Sequence, residues 1–279
     1  MTKKKKKNKN QKPFPKKQFI TAYVILITLT IICLPFLMFL KQISPRTYLF
    51  GKEKKLYNND QNIKLEITYY ESPDVIATLQ SSTTDLFHIN EEKLKKINVS
   101  ETTLIKDDAT QSDFIIAGDA QHGTYIQNNQ LYAFVENTAS NMVGCYIIRG
   151  EKEAADEYKI YPTSDLIKKL EQTDSRKVTY EGLIKQDEEY SLFCITTDDT
   201  HLTYLYVSNK THRIKRSIRI EDKTIQVTDV SELNEEVTFF KNMETFNAFN
   251  LITKADFDSI YKQFAFYALS TSSLTDDKK

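Results

Sequence analysis

The sequence predicts an α+β protein: a single N-terminal transmembrane helix followed by a mainly antiparallel β-sheet domain with short helices. Three observations carry this reading. Phe19 to Leu40 runs without a charged residue, directly behind a tail holding nine lysines. Strand-like runs recur at 177–184, 189–196, 201–207, 212–220 and 224–230 with only short polar turns between them. Such turns leave no room for the helical crossovers that a parallel sheet needs. The helical patterns are few and short, over Pro162–Leu170 and around Phe257–Ala268.

Residues 1–18 contain Lys3 to Lys7, Lys9, Lys12, Lys16 and Lys17 and no acidic residue. The uncharged run that follows has the ~20 residues a helix needs to cross the hydrocarbon core. Pro35, near its outer end, would kink such a helix without preventing it from spanning. A cleaved signal peptide would have a shorter apolar region and a small-residue cleavage site. A lipid-modified Cys33 would need small residues before it, where Ile31 and Ile32 stand. The run therefore reads as an uncleaved anchor. The lysine-rich side stays in the cytosol by the positive-inside rule, and the rest of the chain lies outside. The expected localisation is the cell membrane, single-pass, with the C-terminal domain extracytoplasmic.

Formal net charge is zero over 279 residues, with 38 basic and 38 acidic side chains. Without the nine tail lysines, 29 basic residues face 38 acidic ones, so residues 41–279 carry −9. An acidic exterior disfavours nucleic acid as a partner. Six glycines give little material for phosphate cradles: Gly118 and Gly123 have P-loop spacing, but Thr124 stands where the motif needs lysine. No G-x-G-x-x-G, H-E-x-x-H or G-x-S-x-G occurs. Cys145 and Cys194 are the only cysteines beyond the anchor. An oxidising compartment permits a disulfide between them, and two free buried thiols are the other reading. No cofactor or metal site is expected.

Beyond the anchor, residues 41–61 are polar and read as a stalk. Ile63, Leu65, Ile67 and Tyr69 alternate onto one face of a first strand. Asp74–Gln80 and Asp85–His88 could add strands, residues 90–112 are polar and ambiguous, and Glu91–Ile97 fits a short helix. Residues 124–135 place two strand runs around Asn128-Asn129, residues that tolerate the positive φ of a tight hairpin turn. Met142–Arg149 is a buried strand. Pro162 opens a helix that Thr163 or Ser164 can cap, with Leu166, Ile167 and Leu170 on its apolar face. The five-strand meander follows. Thr253 and Asp256 resemble a capping box before a helix bearing Phe257, Ile260, Tyr261, Phe264, Ala265 and Ala268. The expected organisation is a tail at 1–18, a span at 19–40, a stalk at 41–61, a β-rich domain at 62–269 and a loose tail at 270–279.

The order of these elements carries a resemblance. The helix Pro162–Leu170 precedes Val178–Leu183, Glu189–Phe193, Leu202–Val207, a turn at Ser208–Thr211 and the strand His212–Arg216. This order resembles the bacterial lipoprotein-carrier family and its lipid-binding lipoprotein relatives over residues 120–235. The resemblance implies a half-open antiparallel barrel that wraps short helices and holds acyl chains. It assigns no individual ligand-binding residue here, and the uncleaved anchor departs from the family's diffusible or lipidated forms.

Among candidate residues, Arg213, Lys215 and Arg219 are expected on one face of a strand opposite Ile214, Ile218 and Ile220, with Arg216 interrupting the apolar face. This is a basic stripe suited to lipid headgroups or an acidic partner, or a solvated face paired with carboxylates. His201 behind Asp198-Asp199 invites an acid/base role, although a polar turn explains it as well. The expected function is binding rather than catalysis: a module for lipid or lipoprotein at the membrane face. The alternative is a non-enzymatic scaffold or signalling subunit of an envelope complex.

Overall fold

A computed structural model describes residues 16–57, 62–71, 94–107, 110–117, 120–137, 142–148, 152–198, 201–221, 224–233 and 250–260. The calls on 1–15, Asp74–Gln80, Asp85–His88 and 261–279 lie outside these residues. Two helices come first, α1 (Lys16–Ile43) and α2 (Pro45–Leu56). Six strands follow: β1 (Ile63–Glu71), β2 (Lys95–Asp107), β3 (Thr110–Ala117), β4 (Ala120–Gln127), β5 (Gln130–Asn137) and β6 (Met142–Ile148). Helices α3 (Lys152–Glu157) and α4 (Pro162–Gln172) lead into β7 (Val178–Lys185), β8 (Glu189–Thr196), β9 (His201–Ser208), β10 (Ile214–Glu221) and β11 (Thr224–Glu232). Strand β12 (Asn250–Ile252) precedes a helical stretch at 254–260.

The twelve strands form one sheet in the order β12-β6-β5-β4-β3-β2-β1-β11-β10-β9-β8-β7. Every neighbouring pair is antiparallel except β12 with β6. Two meanders, β1–β6 and β7–β11, are joined because β1 pairs with β11 from Ile63 opposite Glu232 to Glu71 opposite Thr224. The hairpin at 124–135 forms as its residues dictate: Asn128 and Asn129 take φ of 52° and 61°, the left-handed pair that suits the twist of the flanking strands.

The described helices share one face of this sheet. Leu49 and Leu56 of α2 and Leu166 and Leu170 of α4 pack on Val178, Phe193, Ile195, Leu205 and Val207. Phe193 is fully buried and stacks on Tyr48 of α2 at 5.6 Å. Arg46 donates to the carbonyls of Leu170 and Glu171, tying α2 to the C-terminal end of α4, where a cation is favoured. Farther along this face, Ala155 of α3 and Phe257 pack on Ile126, Leu131 and Ala133. The opposite face of the second meander carries Tyr190, Leu192, Cys194, Tyr204, Tyr206, Ile218, Ile220 and Val227.

Several expectations change. The stalk is replaced over Pro45–Leu56 by α2. Its charged sequence hides the one pair that matters, Leu49 and Leu56, seven residues apart and both buried. The helix expected over Glu91–Ile97 gives way to strand from Lys95 onward. In α4 the N-cap is Tyr161, with Pro162 at the first turn and no side-chain cap bond from that residue. The run Phe19–Leu40 is helical as part of α1. Among the described residues, no helix is long and apolar enough to cross a membrane, and the side chains at 16–19, 32 and 34–38 lie outside them.

Cys194 is a free, buried thiol. The disulfide to Cys145 is therefore not formed.

Candidate functional site

The three cations expected to form a stripe on β10 part company. A register break between Ile214 and Arg216 places Lys215 at a bulge. Ile214 consequently packs with the helix-covered cluster, whereas Ile218 and Ile220 belong to the opposite one. Period-2 alternation cannot foresee such a reversal, because one extra residue moves every later side chain to the other face. Arg213 ion-pairs with Glu232 at the start of the strand. Arg216 makes a two-pronged pair with Asp229, its cross-strand partner, at 2.6 and 3.0 Å. Arg219 ion-pairs with Glu221 and turns to the helix-covered face.

There Arg219 lines a cavity of about 360 Å³ between α4 and the β9–β10 pair. Lys169 and Gln172 enter it from α4, Thr203 and His201 from β9, and Arg219 and Glu221 from β10. Cross-strand register builds this cluster: Arg219 sits opposite Thr203, and Glu221 opposite His201. The helix completes it, because Leu166 and Leu170 anchor α4 in the apolar cluster and leave Lys169 on the flank. Lys169 Nζ donates to Thr203 Oγ1 at 2.6 Å. Burial lowers the Lys169 pKa from its ordinary value, and the Arg219 charge lowers it further. Asp198 Oδ1 lies 2.6 Å from His201 Nδ1 at the rim. The juxtaposition suspected from sequence is thus real.

The polar character continues across the sheet. Arg219 faces Gln226 on β11, which faces Tyr69 on β1. Tyr69 donates to Glu101 Oε2 at 2.8 Å, and Thr103 on the neighbouring strand donates to Asp113 Oδ1 at 3.0 Å. The Tyr69 pKa is raised, first by burial and then by the Glu101 carboxylate, with Asp113 adding to it and Arg219 opposing it. One end of the helix-covered face is therefore apolar and filled by α2 and α4. The other end is a polar row running from Lys169 to Asp113. Nothing in the sequence singles out Lys169, because it is one of two adjacent lysines in an ordinary amphipathic helix. Only the docking of α4 over Thr203 distinguishes it.

Among the described residues, no three His, Cys, Asp or Glu side chains are grouped to hold a metal ion. No protein-family model matches the chain, and no curated protein matches it. Solved structures similar in fold include an uncharacterized conserved protein from Thermus thermophilus, at 9% identity and a TM-score of 0.36, covering 74% of this chain and 98% of that one. A LolA superfamily protein from Nitrosomonas europaea is 10% identical with a TM-score of 0.26, over 69% of this chain and 94% of that one. A domain named as an outer membrane lipoprotein-sorting protein, from Vibrio parahaemolyticus, is 8% identical with a TM-score of 0.27, over 70% of this chain and 93% of that one. Two of these neighbours carry names of the lipoprotein-carrier type that the order of elements weakly resembles.

Proposed function

We propose that this chain is a membrane-anchored, extracytoplasmic module that binds lipid or lipoprotein, and that it acts by binding rather than catalysis. The observation that carries the reading is the cavity under α4. Its volume of about 360 Å³ falls within the ~300–1,000 Å³ range of small-molecule sites. Its lining sets the apolar side chains of Leu202 and Ile220 beside the polar and charged groups of Lys169, Gln172, Thr203 and Arg219. An amphipathic ligand meets both kinds of surface there. The anchoring part is supported by the sequence of the N-terminus and by the apolar side chains that α1 turns outward. Ile20, Leu26 and Ile31 are each more than 60% exposed, an arrangement that water disfavours and a bilayer favours.

The test is photocrosslinking of the full-length chain, reconstituted in nanodiscs that contain a phospholipid with a photoreactive acyl chain. Adducts are expected both on α1 and on peptides from α4, β9 and β10. Adducts confined to α1 would overturn lipid binding by the domain and favour an anchored scaffold. Adducts absent from α1 would overturn the anchor.

A further inference from the structure

The chemistry of the cavity specifies more than a place for a ligand. Its two acidic side chains are engaged: Glu221 pairs with Arg219, and Asp198 with His201. Lys169 differs. Its ammonium is half-buried, donates to the neutral hydroxyl of Thr203, and makes no ion pair among the described residues. A buried or half-buried charge is costly unless it is matched by an opposite one. Here the neighbouring charge that acts most strongly on it is the like-charged guanidinium of Arg219, with the Glu221 carboxylate opposing it more weakly. The Gln172 amide and the Thr203 hydroxyl supply further neutral polar groups around the same space. Two cations and two neutral polar groups lining one space suit a tetrahedral oxyanion, because charge-assisted hydrogen bonds to phosphate are the strong ones and guanidinium can hold two oxygens at once.

We propose that Lys169 and Arg219 form a binding subsite for a phosphate group, with Gln172 and Thr203 completing its hydrogen bonds. The proposal rests on reading the cavity as a ligand site and names the chemistry of that ligand. Arg219 would exchange its surface pair with Glu221 for the phosphate, a small sacrifice because both partners are substantially exposed. The phosphate could belong to a lipid headgroup or to a soluble phosphomonoester.

The experiment uses the full chain in maltoside micelles, which carry no phosphate. Inorganic phosphate, glycerol 3-phosphate and phosphatidylglycerol mixed into the micelles are titrated by calorimetry against the wild type, Lys169→Gln, Arg219→Gln and the control Lys185→Gln. Binding of at least one probe is expected, weakened about tenfold or more by each cavity substitution and unchanged by the control. Phosphatidylglycerol binding alone identifies a headgroup. Binding of only the soluble probes supports the subsite while counting against the lipid reading. No binding of any probe, or equal binding by all four proteins, overturns the proposal. So would lipid photoadducts at α4 that persist undiminished in both cavity variants, an outcome that leaves lipid binding itself intact. Arg219 is half exposed, so Arg219→Gln remains informative if Lys169→Gln fails to fold.

Discussion

Lys41, near the end of α1, donates a 3.1 Å hydrogen bond to Ser191 on β8, 150 residues away in the chain. Ser191 is fully buried and donates in turn to Asn209 at 2.6 Å, which donates to Glu189 at 2.7 Å. The same ammonium lies 5.2 Å from the ring centre of Tyr180 on β7. The N-terminal helix is therefore latched to the outer strands of the second meander. Lys41→Met keeps most of the side-chain bulk and removes the donor. It should cost about 1 kcal/mol and lower the melting temperature by roughly 2–4 °C. A melting temperature equal to the wild type would show that the latch contributes nothing to stability.

Phe193 carries the docking of α2. It is fully buried, and Tyr48 and Tyr180 contact it at ring-centre distances of 5.6 and 5.5 Å. Phe193→Ala should destabilise the fold by about 3–5 kcal/mol in denaturant unfolding. Leu183→Ser, at a half-exposed position on β7, should stay within ~0.5 kcal/mol of wild type. Comparable losses for the two would contradict the packing described.

The turn at Asn128-Asn129 gives a backbone test. Both residues hold left-handed φ values, which cost an ordinary L-residue about 1–2 kcal/mol. Asn128→Val should lose about that much, and Asn128→Gly should be close to neutral. Asn129 is less suited to the comparison because its side-chain oxygen also accepts from Lys159 Nζ at 3.2 Å. Equal stability of the valine and glycine variants would rule out the turn geometry.

Stability should fall in mild acid because of His122 on β4. This residue is buried, and burial lowers its pKa from 6.5 to about 4. The unfolded chain takes up a proton near pH 6.5, whereas the folded chain resists it until about pH 4. Between those values the unfolded state binds more protons, so the contribution is complete above pH 6.5 and is lost as pH drops through the window. The loss is about 3 kcal/mol. Denaturant midpoints across this range should flatten in His122→Gln, and an unchanged slope would assign the effect elsewhere.

Cys194 should be chemically silent in the native protein. Burial pushes its thiol pKa up to about 11, so the reactive thiolate is scarce at neutral pH. Alkylation followed by mass spectrometry should modify it only after denaturation, with or without a reductant. Modification that required reductant as well would restore the disulfide.

Much of the architecture was legible because it depends on local signals. The Asn128-Asn129 hairpin has a turn residue type at each position where φ is positive. The second meander is punctuated by short polar turns, and each of its five strands appears within a few residues of the expected place. Strands β2 and β3 were obscured because the helix-covered face of this half bears Glu101, Thr103, Gln111 and Asp113, whose polarity erases the alternation. The pairing of β1 with β11 had no local signal at all. The site was hidden for a related reason: Lys169, Thr203 and Arg219 converge only through the docking of α4 and through cross-strand register. The sequence spacing of Arg213, Lys215 and Arg219 pointed to a stripe that one bulge dismantled.

The central position of β1 sets a timetable for the making of this protein. Ile63 lies between Ile105 on one side and Glu232 on the other, so a strand made early waits for a partner made late. Until β11 has emerged, the first meander exposes a bare edge along β1, with backbone groups ready to pair with any extended chain nearby. A chain cut short between the end of β6 and residue 224 is therefore a sticky half-sheet. Long-range pairing of this kind is slow to form, and aggregation of truncated chains should drop sharply once the length passes Glu232.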